Sequence, residues 1–119
     1  VSDKAAFRRE DIEAVWIRPH CVFTLSRDID GHHILGRGYD FGYGTKKDER
    51  KFFSSVLNFI PLSRPIHHGP LRDTEECRKL FLRLAQERVD DAIREGRYTL
   101  SAIDSEFMAI AAKWCEDRA

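Results

Sequence analysis

Long apolar runs are missing from this chain. Those present are short, such as Ala14-Val15-Trp16-Ile17, against the roughly 18–20 consecutive residues that a membrane-spanning helix needs. No membrane role is expected. The opening residues hold no apolar signal-peptide core and no lipidation motif, so a cytoplasmic location is expected. Cysteine is scarce. Cys21, Cys77 and Cys115 are odd in number and widely separated, and none sits in a Cys-x-x-Cys pair. They read as buried, reduced thiols. Charge of one sign is also lacking. The 20 basic residues balance the 20 acidic ones, which disfavours a globally basic nucleic-acid binder. The serines stand in no Gly-x-Ser-x-Gly elbow, so nucleophilic catalysis has no support and no catalytic residue is assigned.

What remains is the composition of one globular domain. Over 119 residues, 42% are hydrophobic and 34% charged, enough for one modest core. The neutral total hides an uneven spread: −1 over residues 1–35, +4 over 36–72 and −3 over 73–119. A local positive patch set against an acidic helical half follows from this.

Residues 1–44 read as strand-rich and 45–119 as helical, with a proline-rich loop at 61–72. Residues 2–18 fit a helix or a strand equally well. Cys21–Arg27 alternates apolar and polar residues and predicts a strand, and Asp30-Gly31 predicts a tight hairpin turn after it. Under that register Asp28 faces His33, while Gly36 and Gly38 lie opposite Leu25 and Phe23. Thr45 then caps a helix with an apolar stripe at Phe52, Val56, Phe59 and Ile60, and Pro61 ends it. Asp73 or Thr74 caps the next helix, Gly96 closes it, and Ser101 or Asp104 opens the last one. The predicted fold class is α+β. It is a small antiparallel β-hairpin or three-stranded sheet packed against three helices, the last two an antiparallel pair.

Two groups of residues are candidates for chemistry. The first is Gly36-Arg37-Gly38-Tyr39-Asp40-Phe41-Gly42-Tyr43-Gly44-Thr45-Lys46-Lys47. Backbone amides at a helix start, with Lys46 and Lys47 beside them, are suited to an anion. The run matches neither phosphate-loop pattern, and packing and turn formation explain its glycines equally well. Arg37, Tyr39, Tyr43, Lys46 and Lys47 are the candidate partner- or ligand-binding residues, since Tyr and Arg are enriched at interfaces and aromatic–cation clusters also hold single strands. The second group is the histidines. His32-His33 and His67-His68 are adjacent pairs, with Asp28, Asp30 and Asp40 near the first in sequence. Strand neighbours point to opposite faces, so neither pair can readily put both rings on one ion. These four are the weaker candidates for metal binding.

Asp30-Gly31-His32-His33 resembles the corresponding run in ParB-like nuclease domains. The likeness covers those four residues, and no function is carried over from it.

The sequence therefore points first to a small non-enzymatic binding or regulatory module acting through a protein partner, in an immunity-like or inhibitor-like role. An alternative is binding of a phosphate-bearing ligand, nucleotide or nucleic acid through residues 37–51 and 64–72. A second alternative is a metal-dependent hydrolase built on the histidines and aspartates. No cofactor is specified, and nothing in the residues sets an oligomeric state.

Overall fold

In the computed structural model, which describes residues 7–36, 47–67 and 74–118 (47–50 by backbone alone), Asp30 and Gly31 do not turn the chain. They lie inside strand β1, Ile29–His33, which pairs antiparallel with β2, Phe59–Ser63. Before them come helix α1, Arg9–Trp16, and a loop over 17–28. Two 3₁₀ stretches, Lys47–Ser54 and Val56–Asn58, lead into β2. A one-turn helix α2, Arg64–His67, follows β2 directly, and then come α3, Glu75–Arg94, and α4, Ala102–Asp117. The fold is α+β, with a two-stranded antiparallel sheet and four α-helices among the described residues.

The hairpin expected from Cys21–Arg27 is thus replaced by a long-range pairing. Ile29 faces Ser63, Gly31 faces Pro61 and His33 faces Phe59. The expected pairing of Asp28 with His33 does not occur, and Gly36 does not lie in a strand opposite Leu25; Gly38 lies outside the described residues. Residues 21–26 instead curl on themselves: the Cys21 amide donates to the Ser26 carbonyl at 2.8 Å and the Leu25 amide to the Cys21 carbonyl at 2.9 Å.

Pro61 does not end a helix either. It sits mid-strand, and the register explains why a residue without an N–H fits there. The Ile34 amide donates to the Asn58 carbonyl at 2.9 Å, so the alternation of antiparallel pairs makes Gly31–Pro61 a non-hydrogen-bonded pair. The Pro61 backbone faces away from β1, where no donor is needed. Its carbonyl accepts from the Val22 amide at 3.3 Å. The apolar stripe around Phe52–Ile60 has α-helical spacing but forms 3₁₀ turns and a buried strand, which also bring successive apolar residues inward.

Gly31 serves packing. A Cβ there would stand 2.8 Å from Phe59 Cε2 and 3.2 Å from Cδ2. The Phe59 ring cannot swing clear, because it is buried and held edge-on by Phe7 and Trp16, with centroids at 5.2 and 5.9 Å. Gly31→Ala is expected to destabilise the fold by about 1–3 kcal/mol through overpacking, read as a lower melting temperature. An unchanged melt would contradict this packing.

The helical half follows its sequence signals. Thr74 caps α3, its side chain accepting from the Cys77 amide. Phe81, Ala85, Val89 and Ala92 form the buried face of α3. Gly96 takes φ 72 just past the helix, a left-handed position that glycine fills without strain. Ser101 and Asp104 form a capping box on α4, satisfying two amides reciprocally. Buried Asp104 also accepts from the Ser55 hydroxyl at 2.6 Å and the Tyr98 hydroxyl at 2.5 Å, tying α4 to the 3₁₀ turn. At the far end, Arg118 lies over the Trp114 ring and reaches Glu75 at 3.2 Å. This brings the end of α4 to the first turn of α3. Residues 2–18, open between helix and strand by sequence, supply α1.

Candidate functional site

A polar cluster forms where β1 meets α2. Side chains alternate along β1, so Asp30 and His32 share one sheet face while Gly31 and His33 share the other. Because α2 begins immediately after β2, it returns His67 to the Asp30–His32 face. His67 Nδ1 and Asp30 Oδ2 are 3.0 Å apart. The His32 and His67 rings meet edge to face, with centroids at 5.1 Å. Arg64 Nε is 3.7 Å from the other oxygen, Asp30 Oδ1. His32 is buried, and its ring also meets Phe81 of α3 at 6.4 Å. Asp30 and His67 are partly open, with side chains 30% and 23% exposed, and Arg64 is mostly in solvent at 69%.

The pair His32-His33 thus splits, as strand geometry requires. His33 goes to the opposite face and stacks on Phe7, with centroids at 4.2 Å and rings inclined by 24°. His32 instead meets His67, a histidine from the other pair. With Nδ1 facing a carboxylate, His67 would bind a cation or donate to a substrate through Nε2. A carboxylate on the far nitrogen is the usual way a liganding imidazole is oriented and made more basic. Among the described residues, no three His, Cys, Asp or Glu side chains stand in a geometry that would hold a metal ion.

Asn58 supports this corner, and sequence reasoning passed over it. It is fully buried just before β2. Its Oδ1 accepts from the Leu35 amide at 2.8 Å, and its Nδ2 donates to the Leu35 carbonyl at 3.2 Å and the Phe53 carbonyl at 3.0 Å. The segment after His33 is thereby bound to the segment before β2. The available signal was a solitary amide inside the apolar run Val56-Leu57-Asn58-Phe59-Ile60-Pro61-Leu62; a polar side chain in such a run must find internal partners.

Of the other residues proposed from sequence, Arg37, Tyr39, Tyr43, Lys46 and His68 lie outside the described residues, as does the expected cap Thr45. Lys47 begins the first 3₁₀ stretch.

Cys21 occupies the other edge of β2. It is buried, and the Thr24 amide donates to its sulfur at 3.4 Å. Burial alone would push the thiol up, but hydrogen bonds from the Thr24 hydroxyl and from the amides of Ser63, Thr24 and Phe23 bring it down to about 6 from 9.0. Between those values the folded chain holds fewer protons than the unfolded one, so stability rises with pH across that window and is lost as pH falls through it. The urea midpoint of the wild type should therefore climb from pH 6 to 9 more steeply than that of Cys21→Ser. Equal slopes would contradict the thiolate.

No protein-family model, curated protein or solved structure matches the chain. The reading of the site rests on its own geometry.

Proposed function

We propose that the chain is a metal-dependent hydrolase of phosphodiesters, with His32 and His67 holding a divalent transition-metal ion and Asp30 orienting His67. The observation that carries this is the 3.0 Å contact between Asp30 and His67 Nδ1, beside the His32 ring. Imidazoles brought together from separate segments suit zinc, nickel or iron, and a carboxylate behind one of them is the usual outer partner. Two protein ligands are one fewer than a catalytic zinc site usually has, so water and substrate oxygens would complete the shell of the ion. A cation held there would polarise a phosphoryl oxygen and make bound water a better nucleophile. Arg64 contributes a guanidinium that can grip a phosphate oxygen in fixed geometry. This reading takes up the sequence alternative of His/Asp metal chemistry and adds Arg64, one residue of the 37–51 and 64–72 stretches read for phosphate recognition. The three free cysteines fit action in a reducing, cytoplasmic compartment.

The test is hydrolysis of bis(p-nitrophenyl) phosphate by protein stripped with a chelator and then supplied with zinc, nickel, cobalt, manganese or magnesium. The proposal expects no release of nitrophenol after stripping and recovery with at least one ion. Absence of hydrolysis under every condition would overturn it, as would hydrolysis indifferent to stripping.

A second reading, a module acting through a protein partner, is favoured by a separate observation. An open groove of about 270 Å³ runs between α3 and α4, lined by Leu57, Leu82, Phe107, Met108, Ala111 and Cys115 among others. Its apolar floor is the kind of surface a partner side chain fills. Leu82→Glu would abolish partner binding on this reading and leave diester hydrolysis intact on the first.

A further inference from the structure

The loop over 17–28 puts three large apolar side chains into solvent: Ile17 is 58% exposed, Phe23 43% and Leu25 70%. Ile17 and Leu25 both sit at φ 63, Ile17 with ψ −79, and a positive φ is unfavourable for side chains of this kind and most of all for a β-branched one. Glycine would hold either place with less strain. Strain of this sort persists where the surroundings over-determine it, and it clusters at sites of contact with ligands. The loop is firmly held. The Val22 amide is bonded to Pro61 of β2 and the Asp28 amide to the Ser26 hydroxyl at 3.1 Å, besides the two backbone bonds within 21–26.

Two observations say what this tip meets. Arg18 and Arg27 flank it, both exposed, and neither forms an ion pair among the described residues. Phe23 meets Phe81 edge to face at 5.9 Å, and Phe81 meets His32 at 6.4 Å. A single ring therefore separates the loop from the His32–His67 cluster. We propose that the loop over 17–28 is a wedge that docks nucleic acid for the neighbouring site, Leu25 and Phe23 pressing on base faces while Arg18 and Arg27 take phosphates. The proposal rests on the phosphodiester reading. A nucleic acid is the phosphodiester polymer that also offers apolar faces. Apolar wedges beside arginines are a recognised way of unstacking a base step, and aromatic side chains stack on bases so released.

The test uses a short fluorescein-labelled DNA duplex for affinity and the same duplex carrying 2-aminopurine for base stacking. Leu25→Asn is the main variant, because asparagine tolerates the left-handed backbone. Its melting temperature should equal or exceed that of the wild type. Its affinity should fall about tenfold, in the range of one lost base contact, and the rise in 2-aminopurine fluorescence on binding should vanish. The double variant Arg18→Ala with Arg27→Ala should flatten the slope of log K against log salt by about 2. Leu25→Asn with wild-type affinity and wild-type fluorescence would overturn the wedge. So would a wild type that hydrolyses bis(p-nitrophenyl) phosphate but does not bind the duplex, leaving the catalytic reading in place. A wild type that binds and unstacks the duplex without hydrolysing the small diester would uphold the loop and overturn the catalytic reading.

Discussion

If the proposed metal site is right, His67→Ala is expected to reduce diester hydrolysis at least about 100-fold, since it removes one of the two rings that would hold the ion together with the bond that orients it. The fold should survive the change. His67 ends a one-turn helix, and its side chain is still 23% exposed. Asp30→Asn should be milder, about 10- to 100-fold, which is the usual cost of an outer partner to a liganding histidine. Its amide oxygen can still accept from Nδ1–H, but the negative charge is gone. On the same reading Arg64→Ala should raise KM more than it lowers kcat, because its guanidinium would hold substrate rather than the cation. Steady-state kinetics of the three variants, with melts run alongside, check the set. Full activity in His67→Ala would remove the cluster from the chemistry.

The second large effect is on stability. Asn58→Asp conserves shape, yet it turns a two-proton donor into an acceptor facing the carbonyls of Leu35 and Phe53. Both residues are buried, so the carbonyls lose partners where water cannot substitute. At about 1–3 kcal/mol for each orphaned group, the expected loss is about 3 kcal/mol, with more from the buried charge. For a domain of this size that corresponds to a melting temperature lower by about 10 °C. Asn58→Ala should be comparable, because it also leaves the Leu35 amide without its acceptor. A melt within a degree or so of wild type, measured by circular dichroism, would show that these three bonds are not holding the two segments together.

Much of the helical half was legible because its signals are local. The capping box at Ser101 and Asp104, the cap at Thr74, the glycine after α3 and the spacing of Phe81, Val89 and Ala92 all act within a few residues of one another. The sheet was not legible for the opposite reason. β1 and β2 pair across an intervening segment of more than twenty residues, and nothing near Asp30-Gly31 reports on Phe59–Ser63. The dipeptide carries a strong hairpin preference, but here long-range packing overrides it, with the Phe59 ring seated over Gly31. Pro61 misled in the same way. Its tolerance depends on which members of the ladder are hydrogen-bonded, a property of the pair and not of the strand. The site was half legible. Alternation along a strand correctly forbade His32 and His33 from acting together, yet only tertiary structure could bring His32 to His67. Asp30 stands near the first pair of histidines in sequence, but its partner lies 37 residues on.

The central claim is that His32 and His67 together hold a cation, and metal titration tests it most directly. Chelator-treated wild-type protein is titrated with zinc by calorimetry, with His32→Ala and His67→Ala in parallel and thermal melts confirming that each is folded. The account predicts about one equivalent bound by the wild type and loss of that site in both variants, with binding weakening as pH falls because the imidazoles must be neutral to ligate. Equal affinity and stoichiometry in all three proteins, or no binding by the wild type, would contradict it.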